Sequence, residues 1–486
     1  MQEGHHIIVC SFIMEVIQRN KGSRKLLNAG FAYTKKSQSK STIRWECSQR
    51  IAKSCKGALV TDLLVTDIKS SVGHSHEPDF FANQALRVRA EIKSSAEANR
   101  GNSGQIVTDK LSLQSKEVIV AAGSKNALKQ TARRAKKGTS PKDPSTIAEI
   151  PVPFPDEYAG NVIYDNESQQ RVILFATDDG LGLLENADTW FMDGTHSTAP
   201  TQFQQLFVIR VPLAETCASA VYALLPSKQQ VVYEEMLTGI LDACLQRDIR
   251  PNPVRIVTDY EVAIHNAVRA VLSHDVHIQG CFYHLTQATW RRVQAEGLQA
   301  AYNSDEGVKT VCGKLDSLAF LPTADVANGM EVLREEAPEN MTCLVDYFDA
   351  NYVNGNFRSV VAPNGNLRLR KTSPRFCPTV WNVHEATLQD RDRTNNQCES
   401  WNHSFKHLVG HSNPSLWTVV SCLNKDATMV EADILRCERG EPPKKRVKKS
   451  TKAHQQRLKT LCQQYANGQK NIQEFLNAMG QFIRIN

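Results

Sequence analysis

From about residue 160 onward, short apolar runs alternate with amphipathic stretches. "RVILFAT", "TWFMDGT", "FQQLFVIRVPL" and "ASAVYALLP" have the length and composition of strands. "QVVYEEMLTGILDACLQRD" then places Tyr233, Leu237, Ile240, Leu241 and Cys244 on one face at helical spacing. "VRIVTDY" (Val254–Tyr260) predicts another strand, "EVAIHNAVRAVL" a helix and "HIQGCFYHL" a further strand. This alternation is that of an α/β domain. Residues 286–360 read as mainly helical. The tail from Gly440 is basic and polar, with one more helical pattern near its end.

The N-terminal part has a different texture. Residues 14 to about 80 form short aromatic and β-branched strands broken by Lys- and Ser-rich turns. Residues 82–148 are rich in Ala, Lys and Ser and predict loosely packed helices and a linker. The Pro cluster "IPVPFP" (Ile150–Pro155) has the look of a boundary. The first dozen residues add nothing to the first module, His5 and His6 included. They read as an extension that N-terminal peptide mapping would test.

Composition adds bounds. At 486 residues, two to four domains are expected, and 41% hydrophobic with 22% charged residues is ordinary for a globular chain. No apolar run is long enough to span a membrane, and Ile7–Met14 lacks the basic start of a signal peptide, which predicts an intracellular protein without a membrane partner. Most cysteines stand singly in apolar stretches (Cys217, Cys244, Cys312, Cys343) and read as reduced core thiols. Charge changes the picture more. Lys21 to Lys56 holds ten Lys/Arg and one acid, so this segment carries +9 of the net +7 and the remainder nets −2. A basic module on a nearly neutral body points to a polyanion, with a solvated basic face as the alternative.

Two apolar strands end on an acid: "WFMDGT" on Asp193 and "RIVTDYE" on Asp259. Turn chemistry explains many such cases. A carboxylate at a strand end also points out of the sheet, and two on adjacent strands can share divalent cations of the oxygen-seeking kind, Mg²⁺ or Mn²⁺. "NNQCESWNHSFKHL" supplies a third acid, Glu399, near the start of a helix that Asn395 or Asn396 would cap. Its apolar face is Trp401, Phe405 and Leu408.

The ordered set "ADTWFMDGTHSTAPTQFQQLFVI", "VTDYEVAIHNAV", "CFYHL" and "TNNQCESWNHSFK" resembles Mutator-like element (MULE) transposases over about Ile150 to His411. The resemblance implies a ribonuclease-H-like core and a DDE triad, with a helical insertion before the glutamate. It assigns the catalytic, metal-holding acids to Asp193, Asp259 and Glu399, with Mg²⁺ or Mn²⁺ as cofactor and cleavage and joining of DNA strands as activity. The sequence departs from the family after "DGT", where His196 and Ser197 replace an aromatic and a basic residue. "CFYH" (Cys281, His284) is half of a zinc-ligand pattern, though such a pair more often marks a packed strand end. The family places a Cys-x-x-His of this kind near the active site, so the pair is assigned an accessory role. Arg291 and Arg292 just beyond it suit either phosphate or solvent.

In the basic module, Cys47, Cys55, His74 and His76 can complete a closed tetrahedral zinc site. About 60 residues bury too little apolar surface to fold comfortably without such a staple. "GFAY", "IRWECSQRIAKSCKGALVTD" and "GHSHEPD" together resemble the FLYWCH-type zinc finger over Met14 to Glu77, with Phe31, Tyr33 and Trp45 at its aromatic positions. Such fingers are linked to DNA or protein binding. The basic excess favours DNA, with Lys35, Lys36, Lys40, Arg44 and Arg50 as phosphate contacts. The basic run Lys444–Lys452 in "EPPKKRVKKSTK" resembles a nuclear-import signal, and "ARRAKK" (Ala132–Lys137) is a weaker one.

The expected order is therefore a FLYWCH-type finger (14–77), a basic helical and linker region (82–148), a MULE-type domain (150–411) and a helical, basic tail (412–486). The fold class is α/β, a ribonuclease-H-like DDE core with a helical insertion behind a small β-rich zinc-binding module. A nuclear DNA transposase is the first reading. A domesticated, catalytically inactive DNA-binding regulator is the second, and a finger-based protein adaptor the third. Both a single chain and a homo-oligomer are compatible with these motifs.

Overall fold

The structure is a computed structural model that describes residues 14–18, 23–98, 102–137, 141–361, 366–444 and 447–484. The N-terminal extension with His5 and His6, and Lys445 and Arg446 of the basic run, lie outside the described residues. The chain divides into two compact units, 1–141 and 142–486.

In the first unit, six strands form an antiparallel meander in sequence order: β1 (Glu15–Gln18), β2 (Arg24–Asn28), β3 (Phe31–Gln38), β4 (Thr42–Cys47), β5 (Ala58–Asp62) and β6 (Ile68–Val72). Alternation sets the two faces of β4: Ile43, Trp45 and Cys47 are buried, while Arg44 is exposed. The sheet's own core is small, namely Leu26, Tyr33, Ile43, Trp45 and Leu59. The fully buried indole of Trp45 donates to Thr61 Oγ1 at 3.0 Å, so its polar edge is satisfied. Four helices follow (Phe80–Glu97, Ser103–Ser112, Lys116–Ala122, Lys125–Lys137), the first three capped by Asp79, Asn102 and Ser115. They close on a core of small apolar residues that includes Val88, Ile92, Val107, Leu128 and Ala132. This stretch is better packed than its low aromatic content suggests, because Ala lets helices approach closely.

The second unit is built on a seven-stranded mixed sheet: β7 (Val162–Asp165), β8 (Ile173–Phe175), β9 (Thr189–Thr195), β10 (Gln205–Leu213), β11 (Thr216–Leu225), β12 (Arg255–Thr258) and β13 (His277–Gly280). Its order is β13-β12-β9-β10-β11-β8-β7. β9, β10 and β11 run antiparallel, whereas β12 joins β9 and β13 joins β12 in parallel, which is the ribonuclease-H-like arrangement. Both faces are covered. Trp190, Met192 and Ile256 pack under the helices Asp178–Asn186, Gln230–Leu245 and Val262–Val271. Phe191, Val208 and Val257 on the other face pack under the helices Asn396–Val409 and Leu416–Glu438. Ile150 and Phe154 of the Pro cluster are buried in this second core, so that segment is part of the domain and not a spacer.

Between β13 and the helix Asn396–Val409 lies a helical insertion with a separate core around Leu315, Phe320, Phe348 and Trp381. Two predicted features change here. "HIQGCFYHL" is a strand only to Gly280; Phe282–Ala295 is helix, and its apolar start faces the insertion. The C-terminal segment forms two helices, Lys449–Ala466 and Ile472–Arg484, whose Leu458, Leu461, Phe475 and Met479 return to complete the insertion's core. Of the singly placed cysteines, Cys244 and Cys312 are buried thiols and Cys217 is half-buried, but Cys343 is exposed. Among the described residues no helix is long and apolar enough to cross a membrane.

Candidate metal centre and active site

In the first unit, β4 carries Cys47, the following turn carries Cys55, and the segment after β6 carries His74 and His76. Their ligand atoms all lie within 4.8 Å of one another. Cys47 Sγ is 3.3 Å from His76 Nε2, and Cys55 Sγ is 3.3 Å from His74 Nδ1. These separations suit two thiolates and two imidazoles around one tetrahedral zinc ion. The surroundings orient the donors. Backbone N–H groups of Gln49 and Gly57 point at the two sulfurs, each at 3.3 Å. His74 Nε2 meets Tyr33 Oη at 2.8 Å, and His76 Nδ1 meets the Glu77 carbonyl at 2.9 Å, which frees the opposite nitrogen of each ring as a ligand. Phe31 stacks flat on His74 at 3.7 Å. Gly57 leaves room for that ring, since a Cβ there would sit 2.6 Å from it. Burial, and then the neighbouring His76, lower the His74 pKa and keep it in the neutral form a ligand needs.

Lys35, Lys36, Lys40, Arg44 and Arg50 are all exposed on β3, β4 and the adjoining turns. Lys36, Arg44 and Arg50 surround Glu46 at 3.7 to 3.9 Å, so one acid serves three cations.

In the second unit, sheet register brings the first two acids together. Phe191 of β9 pairs with Val257 of β12, so Asp193 and Asp259 each follow two residues later, past the same edge of the parallel pair. Phe191 and Val257 belong to the face covered by the helix Asn396–Val409, and Asp193, in phase with Phe191, turns toward that helix. The helix buries Cys398, Trp401, Phe405 and Val409 on the sheet, with Val409 in the place predicted for Leu408. It thereby directs Glu399 and Asn402 to the strand ends. Asn402 Nδ2 donates to Asp193 Oδ2 at 2.6 Å, and Gly194 N–H to Asp193 Oδ1 at 2.9 Å. Asn395 is not a side-chain cap. Its amide reaches the Met192 carbonyl at 2.8 Å and its N–H the sulfur of Cys281 at 3.2 Å, pinning the helix start to β9 and to the end of β13.

His284 lies between the acids. Its Nδ1 is 2.7 Å from Asp259 Oδ1, out of line for a hydrogen bond, and its Nε2 is 3.8 Å from Glu399 Oε1. Burial pulls this imidazole's pKa down, but contact with Asp259 and Cys281 outweighs it and lifts the value to about 11. Burial first, then the Asp259 charge, push Asp193 up to about 7. Burial and Asp259 also raise Glu399, against the pull of His284. The three acids therefore sense one another, with protonated His284 as their counter-charge. Asp259 Oδ1, Glu399 Oε1 and Asn402 Oδ1 are buried without hydrogen-bond partners. Oxygens left in this way fit a divalent cation. Cys281, His284 and Glu399 also present ligand atoms within 4.8 Å of one another. Arg292 is engaged by Glu296 and lies 4.6 Å over the Tyr347 ring, while Arg291 is exposed.

Three neighbours escaped the sequence reading. Asn402 is three residues from Glu399, a spacing that puts both on one helix face and was visible in "ESWN". Tyr233 and Glu261 form a supporting chain, with Gln205 donating to Tyr233 Oη at 2.9 Å and Tyr233 to Glu261 at 2.8 Å. Glu261 was signalled by the second acid in "TDYE", whereas Tyr233 read as part of a helix's apolar face.

The raised Asp193 value gives a pH test. A folded-state pKa above the unfolded one means the stabilising difference is complete below about pH 4 and is lost as pH rises through about 7. Without Mg²⁺ or Mn²⁺, Asp193→Asn is expected to stabilise the protein by about 1–3 kcal/mol near pH 8, discounted for partial exposure. Thermal melts should show that gap narrowing toward pH 4.

Comparison with known families matches two stretches of the chain, and Glu399 lies beyond both. Residues 16–76 match the FLYWCH zinc finger domain, which spans Cys47, Cys55, His74 and His76. Residues 189–288 match the MULE transposase domain, which spans Asp193, Asp259, Cys281 and His284. No curated protein matches the chain.

Proposed function

We propose that this chain, a FLYWCH zinc finger followed by a MULE transposase domain, binds DNA and cuts and joins DNA ends in the nucleus. The observation that carries the proposal is the convergence of Asp193, Asp259 and Glu399 from two strand ends and one helix, with buried Asp259 and Glu399 oxygens that make no hydrogen bond. These three carboxylates would hold Mg²⁺ or Mn²⁺. Held there, such a cation would supply activation of a hydroxyl nucleophile and stabilisation of the leaving oxygen in phosphoryl transfer.

The chain's own residues supply the rest. The Gly194 N–H and Asn402 fix the Asp193 carboxylate, and Asn395 fixes the helix that carries Glu399. In the metal-free site His284 sits between Asp259 and Glu399 and balances their charge. The finger, with its exposed cations, grips phosphate.

The second reading, a DNA binder without strand transfer, is favoured by one feature. His196 is used structurally, its Nδ1 2.6 Å from the Gln204 carbonyl, where related transposases carry an aromatic side chain. Cleavage of DNA carrying inverted repeats from the gene's flanks, with Mg²⁺ or Mn²⁺, separates the two. Metal-dependent cutting supports the transposase, and tight binding without cutting supports the regulator.

A further inference from the structure

Between Asp349 and Glu385 the sequence contains Arg358, Arg368, Arg370, Lys371 and Arg375 and no acid. The middle of this segment is a two-stranded antiparallel ribbon, β14 (Asn356–Val361) and β15 (Leu367–Thr372). Among the described residues its strands pair only with each other, and nearly all of their residues are exposed.

The register sorts the ribbon into two unlike faces. Arg358 stands opposite Arg370 and Val360 opposite Arg368, which puts three guanidinium groups on one side. Phe357, Leu369, Val361 and Leu367 lie on the other, with Lys371 among them. Like charges directly across a strand pair are destabilising. Among the described residues none of these arginines is paired with a carboxylate. The ribbon therefore carries an unfavourable charge pair that its own fold does not offset, and an anionic partner would.

The foot of the ribbon is fixed beside the carboxylates. Gly355 has φ +79°, and a Cβ there would lie 2.0 Å from the Thr372 carbonyl, so the strands converge there only because the residue is glycine. Tyr352 and Phe376, on either side of the foot, are buried in the insertion's core. The Trp381 indole N–H reaches both their carbonyls, at 2.8 and 3.1 Å. Phe376 packs edge-on at 5.1 Å against Tyr260, the residue after Asp259. Six-residue strands give an arm of roughly 20 Å, and a two-stranded ribbon fits the major groove of duplex DNA.

We propose that β14–β15 is a DNA-gripping arm whose face of Arg358, Arg368 and Arg370 holds the phosphates of the duplex being presented to Asp193, Asp259 and Glu399. This rests on the DNA-processing function proposed above.

The test uses the full-length zinc-loaded chain and a short random-sequence duplex, with binding measured over a salt series. Two variants are compared with wild type: R358Q/R368Q/R370Q and, on the opposite face, F357S/L369S. Both change only exposed positions, and unchanged thermal melts confirm that each folds. The arginine variant is expected to bind at least ~10-fold more weakly at low salt, with the log–log salt slope shallower by roughly 2 to 3. The apolar-face variant should keep the wild-type slope. Wild-type binding with the same slope in the arginine variant would overturn the arm and leave the proposed function standing. Weakening confined to F357S/L369S would also overturn it and assign the duplex contact to the apolar face. A wild-type chain that binds no duplex would overturn both proposals.

Discussion

Asp259→Ala is expected to reduce metal-dependent DNA cutting by ~10²–10³-fold, the scale of losing one preorganised stabiliser of developing charge. The expectation follows from its place among the charges. Asp259 raises the pKa of Asp193, Glu399 and His284 alike, so it is the group through which the set is coupled. Its removal takes away one metal ligand and the carboxylate beside His284, and part of the imidazole's reason to stay protonated goes with it. The backbone around it is secured independently, by His265 Nε2 on the Asp259 carbonyl at 2.8 Å and by the half-buried ring of Tyr260 packed on Phe376. The variant should therefore keep its melting temperature and bind DNA as wild type does. Loss of cutting together with loss of folding would point to a structural carboxylate, and Asp259→Asn, which keeps the shape, separates the two.

Cys55→Ser is expected to remove zinc and unfold the finger. Structural zinc contributes roughly 10–16 kcal/mol to small domains of this kind, and the core behind these ligands is small: Leu26, Tyr33, Ile43, Trp45 and Leu59, with Met14, Phe31 and Val65 partly buried against it. Cys55 is fully buried, and its sulfur receives the Gly57 N–H, so a serine hydroxyl there is a poor zinc ligand in a site shaped for a thiolate. DNA affinity should fall with the finger, while the sheet of the second unit, which has its own cores, stays folded. Zinc content by mass spectrometry and amide protection of β3 and β4 check this. A Cys55→Ser protein that keeps zinc and a protected β4 would refute the assignment.

What the sequence disclosed was local. The strands of the second unit announce themselves as apolar runs, and Asp193 and Asp259 stand out because each run stops on an acid. Glu399 is legible because Trp401 and Phe405 mark a helix around it. What stayed hidden depended on pairing between distant segments. Only the parallel match of Phe191 with Val257 shows that two acids 66 residues apart end level. "CFYHL" looked like strand because its apolar residues continue the run, yet Phe282 faces the insertion's core and begins a helix. Asn395 suggested a cap by residue type, but tertiary structure uses its side chain to join β9. The two last helices look like a polar tail until the insertion supplies the core that takes up Phe475 and Met479.

The central claim is that Asp193, Asp259 and Glu399 form one divalent-cation site. Titrating Mn²⁺ into the full-length, zinc-loaded protein near pH 8, alongside Asp193→Asn, Asp259→Asn and Glu399→Gln, tests it without needing a DNA substrate. Saturable binding in wild type should weaken in every variant by more than the ~10–100-fold that outer-shell changes cause. Wild-type affinity should rise as pH climbs through about 7, where Asp193 gives up its proton. Mn²⁺ binding of equal strength in all four proteins would contradict the site.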